Sequence, residues 1–136
     1  MNTLRNTTAI AALLMAAAAL PACGDDDEEE GLSPAQRHGV GAACSEDNDC
    51  FVGETRLRCL PFKGGYCGLE GCDDATDCPA GSACVTHDDG QNYCFLVCRD
   101  KVECNHTRPS EIEANCSSSI TFTDDAKDRK ACVPPS

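Results

Sequence analysis

The chain has 136 residues, 13 cysteines, no tryptophan and a formal net charge of −12. That length holds one ordinary domain, and so acidic a chain argues against any nucleic-acid partner. From Cys44 to Ser136, twelve of 93 residues are cysteine and only seventeen carry large apolar side chains. Cysteine above about 8–10% marks a disulfide scaffold. Bridges at roughly 2–4 kcal/mol each then outweigh a thin core. Such bridges persist only in an oxidising compartment, so the N-terminus is expected to carry an export signal.

Residues 1–22 fit that expectation. A polar start with one basic residue, Arg5, leads into twelve uncharged residues, Ala9 to Leu20. This matches a signal-peptide apolar core and falls short of the about 20 residues a membrane span needs. A cut after Ala22 by a general signal peptidase would place Leu20 at the −3 position, where small residues are preferred. The tetrapeptide Leu20-Pro21-Ala22-Cys23 instead resembles the lipobox of bacterial lipoproteins, in which the cysteine is acylated and becomes the first residue of the mature chain. The resemblance implies lipidation of Cys23. It also implies a chain held in the cell envelope by its acyl chains, since two or more anchor stably where one does not. In enteric bacteria an aspartate directly after that cysteine favours inner-membrane retention. Gly24 stands there in this chain, so the resemblance leans towards the outer membrane. Removing Cys23 from the cysteine count leaves twelve, an even set that can pair completely.

Six acids follow, Asp25 to Glu30. Like charges in a block repel, stay solvated and extend, so residues 23–43 read as a lipidated acidic tether and linker. Within it, Ser33-Pro34 with Gln36 and the terminal Gly39 carries capping-box and proline-first signals for one or two helical turns.

Residues 44–136 read as a cysteine-rich domain built on a repeat. The first unit, 44–67, is Cys44-SEDND-Cys50-FVGETRLR-Cys59-LPFKGGY-Cys67. The second, 72–94, is Cys72-DDATD-Cys78-PAGSA-Cys84-VTHDDGQNY-Cys94. The third, 98–132, opens with Cys98-RDKVE-Cys104 and continues to Cys116 and Cys132. Each opens with a five-residue polar gap whose last residue is acidic: Asp49, Asp77 or Glu103. Gly53 and Gly81 occupy matching positions, as do Tyr66 and Tyr93; the third unit loses both and reads as a degenerate copy or a cap.

Turns at Lys63-Gly64-Gly65 and Asp88-Asp89-Gly90 predict hairpins near 57–60 with 65–68 and 82–87 with 92–97. Ser110-Glu111-Ile112-Glu113 has capping-box form and predicts a short helix running to about Cys116. The expected class is a small disulfide-rich fold, mostly coil with short β-hairpins, one or two short helices and little hydrophobic core. A closed four-cysteine unit allows three pairings. Bridges first-to-third and second-to-fourth are preferred, because they tie the opening loop onto the hairpin; the other pairings stay open. The cysteine pattern over Cys44–Cys94 resembles EB-type and Dickkopf N-terminal-like cysteine-rich modules, and also the cysteine-rich repeats of bacterial surface lipoproteins. That resemblance implies an extracellular interaction module.

Catalytic and cofactor signatures are sparse. No Cys-x₂-Cys pair suggests structural zinc or a redox motif. His38, His87 and His106 fall in the linker or in polar loop-like segments and read as surface histidines without a role. Two alternatives have specific residues behind them. The segment 53–59 offers Arg56 and Arg58 beside a bridge, as a serine-protease inhibitor presents a rigid loop. The acidic loops could hold calcium in an adhesion module, although none has the twelve-residue spacing of a calcium loop. The leading expectation is a membrane-anchored envelope lipoprotein, non-catalytic and without a cofactor beyond its lipid. It would bind a protein or polysaccharide that the sequence does not name.

Overall fold

The computed structural model describes residues 31–136, apart from Gly53. The export segment, Cys23 and the acidic run lie outside the described residues. Chain order is α1 (Pro34–Arg37), β1 (Phe51–Val52), β2 (Thr55–Arg56), β3 (Arg58–Leu60), β4 (Tyr66–Glu70), β5 (Ser82–Thr86), β6 (Asn92–Cys98), α2 (Lys101–Cys104), β7 (Asn115–Ser117), β8 (Thr121–Phe122) and β9 (Lys130–Val133). Six disulfides hold this small antiparallel structure: 44–59, 50–67, 72–84, 78–94, 98–116 and 104–132. Every unit is bridged first-to-third and second-to-fourth, the preferred pairing.

The register explains the pattern. Cys59 lies directly opposite Cys67, Cys84 opposite Cys94, and Cys116 opposite Cys132. Directly opposed residues of an antiparallel pair project from the same face. The two hairpin sulfurs of each unit therefore point the same way, and the opening loop folds over that face to meet both. The loop is shaped by its acid. Asp49 accepts the amides of Ser45 and Glu46, and Asp77 those of Asp73 and Asp74. Glu103 does the same for Arg99 and adds bonds to its guanidinium. These donors hold the Asp49 and Glu103 carboxyls below their ordinary pKa. The third unit is thus a full structural copy, with a long insertion between its hairpin strands.

The bridges close within units, but the sheet does not. Its order is β3-β4-β6-β5-β8, with β9 pairing both β6 and β7. Strand β6 therefore touches β4 of the first unit, β5 of its own, and β9 of the third. Around it the small core collects Tyr66, Phe95, Leu57, Val85 and buried half-cystines.

Two expectations need correction. Residues 33–42, read above as part of the linker, belong to the folded domain: Ala35 and Val40 are buried in the core. The predicted capping box forms between Ser33 and Gln36. It sets the Ala35 amide 2.6 Å from the Ala80 carbonyl. Gly81 passes beneath with φ of +92°, and a Cβ there would lie 2.6 Å from Ser33. The segment then pairs with β4 through Gly41 N–H to Cys67 O and Cys67 N–H to Ala42 O. The second correction concerns the helix predicted from Ser110 to about Cys116. It is one 3₁₀ turn, Ser110–Ile112, because Cys116 is held in β7 opposite Cys132 and the Ile112 carbonyl is taken by Arg108.

Arg108 gives no local signal in the sequence, yet it joins the parts. Only 6% exposed, its guanidinium donates to the carbonyls of Ile112, Gly41, Gly65 and Lys63. It also lies 5.8 Å from the centroid of the Tyr66 ring. Burial lowers its pKa.

Candidate functional site

The β5–β6 hairpin ends in a turn that borders a cleft. His87 N–H donates to Gln91 O, and Gly90 N–H donates to His87 O. Asp89 accepts the Gln91 amide at 2.9 Å and the Tyr93 hydroxyl at 2.8 Å. These donors, the Gln91 amide first, lower the Asp89 pKa. Desolvation, and then the hydrogen bond to Asp89, push Tyr93 up to about 12.

His87 is not the surface histidine expected from its polar neighbours. Its side chain is 19% exposed and packs among Phe62, Tyr93 and Phe95 at centroid distances of 5.2, 6.0 and 5.9 Å. Its Nδ1 is buried without a hydrogen bond, 3.8 Å from an Asp89 oxygen. Tyr93 and Phe95 stack with an 8° interplanar angle, and Phe62 meets both edge-on. Next to this aromatic group opens a cleft of ≈ 350 Å³, bounded by Phe62, His87, Asp88, Asn115 and the chain from Val133 onwards. A second hollow of ≈ 130 Å³ shares His87, Asp88 and Val133, and adds Ser117, Ser119 and Ile120. The two hollows share a wall. They set an aromatic and apolar side against hydroxyls, an amide and a carboxylate, an arrangement suited to holding a small polar molecule.

The structure places the other predicted residues as follows. All twelve cysteines from Cys44 to Cys132 are in disulfides. The sulfur clusters they form are neighbouring bridges, so none offers a thiolate to a metal. Arg56 and Arg58 are exposed on either side of buried Leu57. Both belong to strands: Arg56 pairs with Phe51, and Arg58 pairs with Gly68. Arg58 also lies 3.8 Å from Asp47. The backbone of both arginines is thus paired within the sheets. In the acidic loops, Asp49, Asp74, Asp77, Asp89 and Asp124 accept hydrogen bonds from nearby backbone amides. They perform the turn-forming work of short acidic side chains.

Phe62, Asn115 and Arg108 escaped the sequence reading. A partly buried aromatic three residues after a cysteine gave no signal. Asn115 and Ser117 come to the β5–β6 turn through long-range links, among them the β7–β9 pairing and the Cys98–Cys116 bridge, which no local pattern encodes. No protein-family model matches the chain, and no curated protein or solved structure is detectably similar to it.

Proposed function

We propose that the chain is a lipid-anchored envelope protein of a bacterium, a disulfide-knit module that binds a partner without catalysis. The observation that carries this reading is the cysteine balance. Twelve cysteines satisfy one another in three closed units. None is left for Cys23, which follows an apolar export segment in a lipobox-like tetrapeptide. Six bridges also suit an oxidising location outside the cytoplasm. In this reading the acyl chains hold the protein on the membrane, the acidic run stands it off, and Gly24 after the cysteine favours the outer membrane.

The test is incorporation of labelled palmitate in a bacterial host, with intact mass of the membrane-extracted product. The expected product begins at an acylated Cys23 and has no alkylatable thiol. Label should vanish in Cys23→Ala and persist in a Cys44→Ala/Cys59→Ala variant. An unacylated chain, or Cys23 recovered in a disulfide, overturns the reading.

A further inference from the structure

We infer that the cleft beside the β5–β6 turn is a binding site for a neutral saccharide unit; this names the ligand class for the binding role proposed above and rests on it. Three features of the cleft select that class. The first is its two-sided chemistry. Phe62 and Val133 supply apolar surface, while Asp88, Asn115 and Ser117 supply a carboxylate, an amide and a hydroxyl. A sugar ring presents apolar C–H faces between rims of hydroxyls, and a few fixed polar groups against an apolar wall orient such a ligand. The second is charge. Among the described residues neither hollow is lined by lysine or arginine, so an anionic ligand would meet Asp88 without a lysine or arginine to balance it. Asp89 behind it is already occupied by Tyr93 and Gln91, which leaves little to hold a cation. The third is size: ≈ 350 Å³ with a ≈ 130 Å³ annex lies near the lower end of small-molecule sites, about 300–1,000 Å³.

The walls are also prepared in advance. Phe62 is wedged against Tyr93 and Phe95. Asn115 and Ser117 stand on β7, on either side of the bridged Cys116 and paired to β9. The turn bearing Asp88 is closed by its own backbone bonds. Groups already ordered lose little freedom when a ligand arrives.

Saturation-transfer NMR on the full protein, extracted in a polyoxyethylene detergent that carries no sugar, tests the inference. The probes are methyl α-glucoside, methyl β-galactoside and N-acetylglucosamine, with glucuronate as the anionic comparison and methylammonium as the cationic one. The expected result is transfer to the ring protons of at least one neutral sugar and none to glucuronate or methylammonium. Transfer should be lost in Asp88→Ala and Asn115→Ala, both exposed in the free protein and expected to keep its melting midpoint. Absence of transfer to all three neutral sugars overturns the inference. So does transfer that survives both substitutions, or equal transfer to a charged probe. Acylation is read by mass on the same sample. An acylated protein that ignores sugars therefore removes only the saccharide assignment, and an unacylated one that binds them removes only the anchor.

Discussion

Arg108 holds a full positive charge in the interior with carbonyl oxygens and, among the described residues, no carboxylate paired to its guanidinium. A buried charge is tolerated when its donors are satisfied, and the planar fork can reach several acceptors at once. Replacing Arg108 with alanine leaves four carbonyls without that donor and opens a cavity between the N-terminal segment, the first unit and the third. We expect a loss of about 3 kcal/mol in guanidinium unfolding with the bridges intact. Arg108→Lys should recover only part of it, because one ammonium cannot span all four carbonyls. Equal stability of Arg108→Ala and the parent would refute the role. Asp49 gives a second test, through pH. Amide donors from Ser45 and Glu46 depress its folded pKa, so its contribution is complete above the ordinary carboxylate pKa of about 4. It is lost as pH falls through the depressed value. The stability gap between the parent and Asp49→Ala should therefore be widest near neutrality and close in strong acid. A gap that widens on acidification would contradict the assignment.

The repeating element is an acid-shaped loop clamped by two crossed bridges onto the face of a hairpin. Much of it was legible in the sequence because its determinants are local. Five-residue gaps, the acid before the second cysteine and the glycine-bearing turns each act within a few residues. Cysteine spacing therefore anticipated all three units, including the bridging of a third unit that had lost its glycine and tyrosine. Long-range features were not legible. The return of β9 to β6, the burial of Val40 and the convergence of Asn115 on Phe62 depend on contacts between distant segments. The 110–113 helix failed for a related reason: a local capping signal gave way to the strand that Cys116 must join. Bridge strength should follow loop length within this shared design. Cys104–Cys132 spans 28 residues and Cys72–Cys84 spans 12. Removing the longer bridge as a double alanine variant should cost about 0.8 kcal/mol more through loop closure alone. All four half-cystines are buried, so truncation leaves a cavity at either bridge and the loop-closure difference should remain in the measured unfolding free energies. A larger loss on removing the shorter bridge would show that loop closure does not rank them.

At the scale of the molecule, the domain begins before its first cysteine. Ala35 and Val40 lie in the core, and Gly41 gives its carbonyl to Arg108. Only eight residues, 24–31, lie between Cys23 and Leu32, whose carbonyl accepts from Arg37. In the anchored reading, those residues reach at most about 3.3–3.6 Å apiece, so the domain stands no more than some 30 Å from the membrane. A boundary at Cys44 would have allowed more than twice that. The boundary can be measured by comparing two truncated chains, one starting at Gly31 and one at Cys44. The first keeps every described contact and should match the full protein in its unfolding midpoint. The second exposes the apolar surface that Ala35 and Val40 cover and strips one acceptor from Arg108. Burial of one valine alone is worth about 1.5–3 kcal/mol, and a lost bond to a charged donor about 1.5–3 kcal/mol more. We expect the chain starting at Cys44 to be less stable by about 3 kcal/mol or to oxidise into mixed disulfides, read by guanidinium titration and non-reducing peptide mapping. If both chains unfold at the same denaturant concentration with the same six bridges, residues 31–43 are tether after all, and the longer reach to the membrane follows.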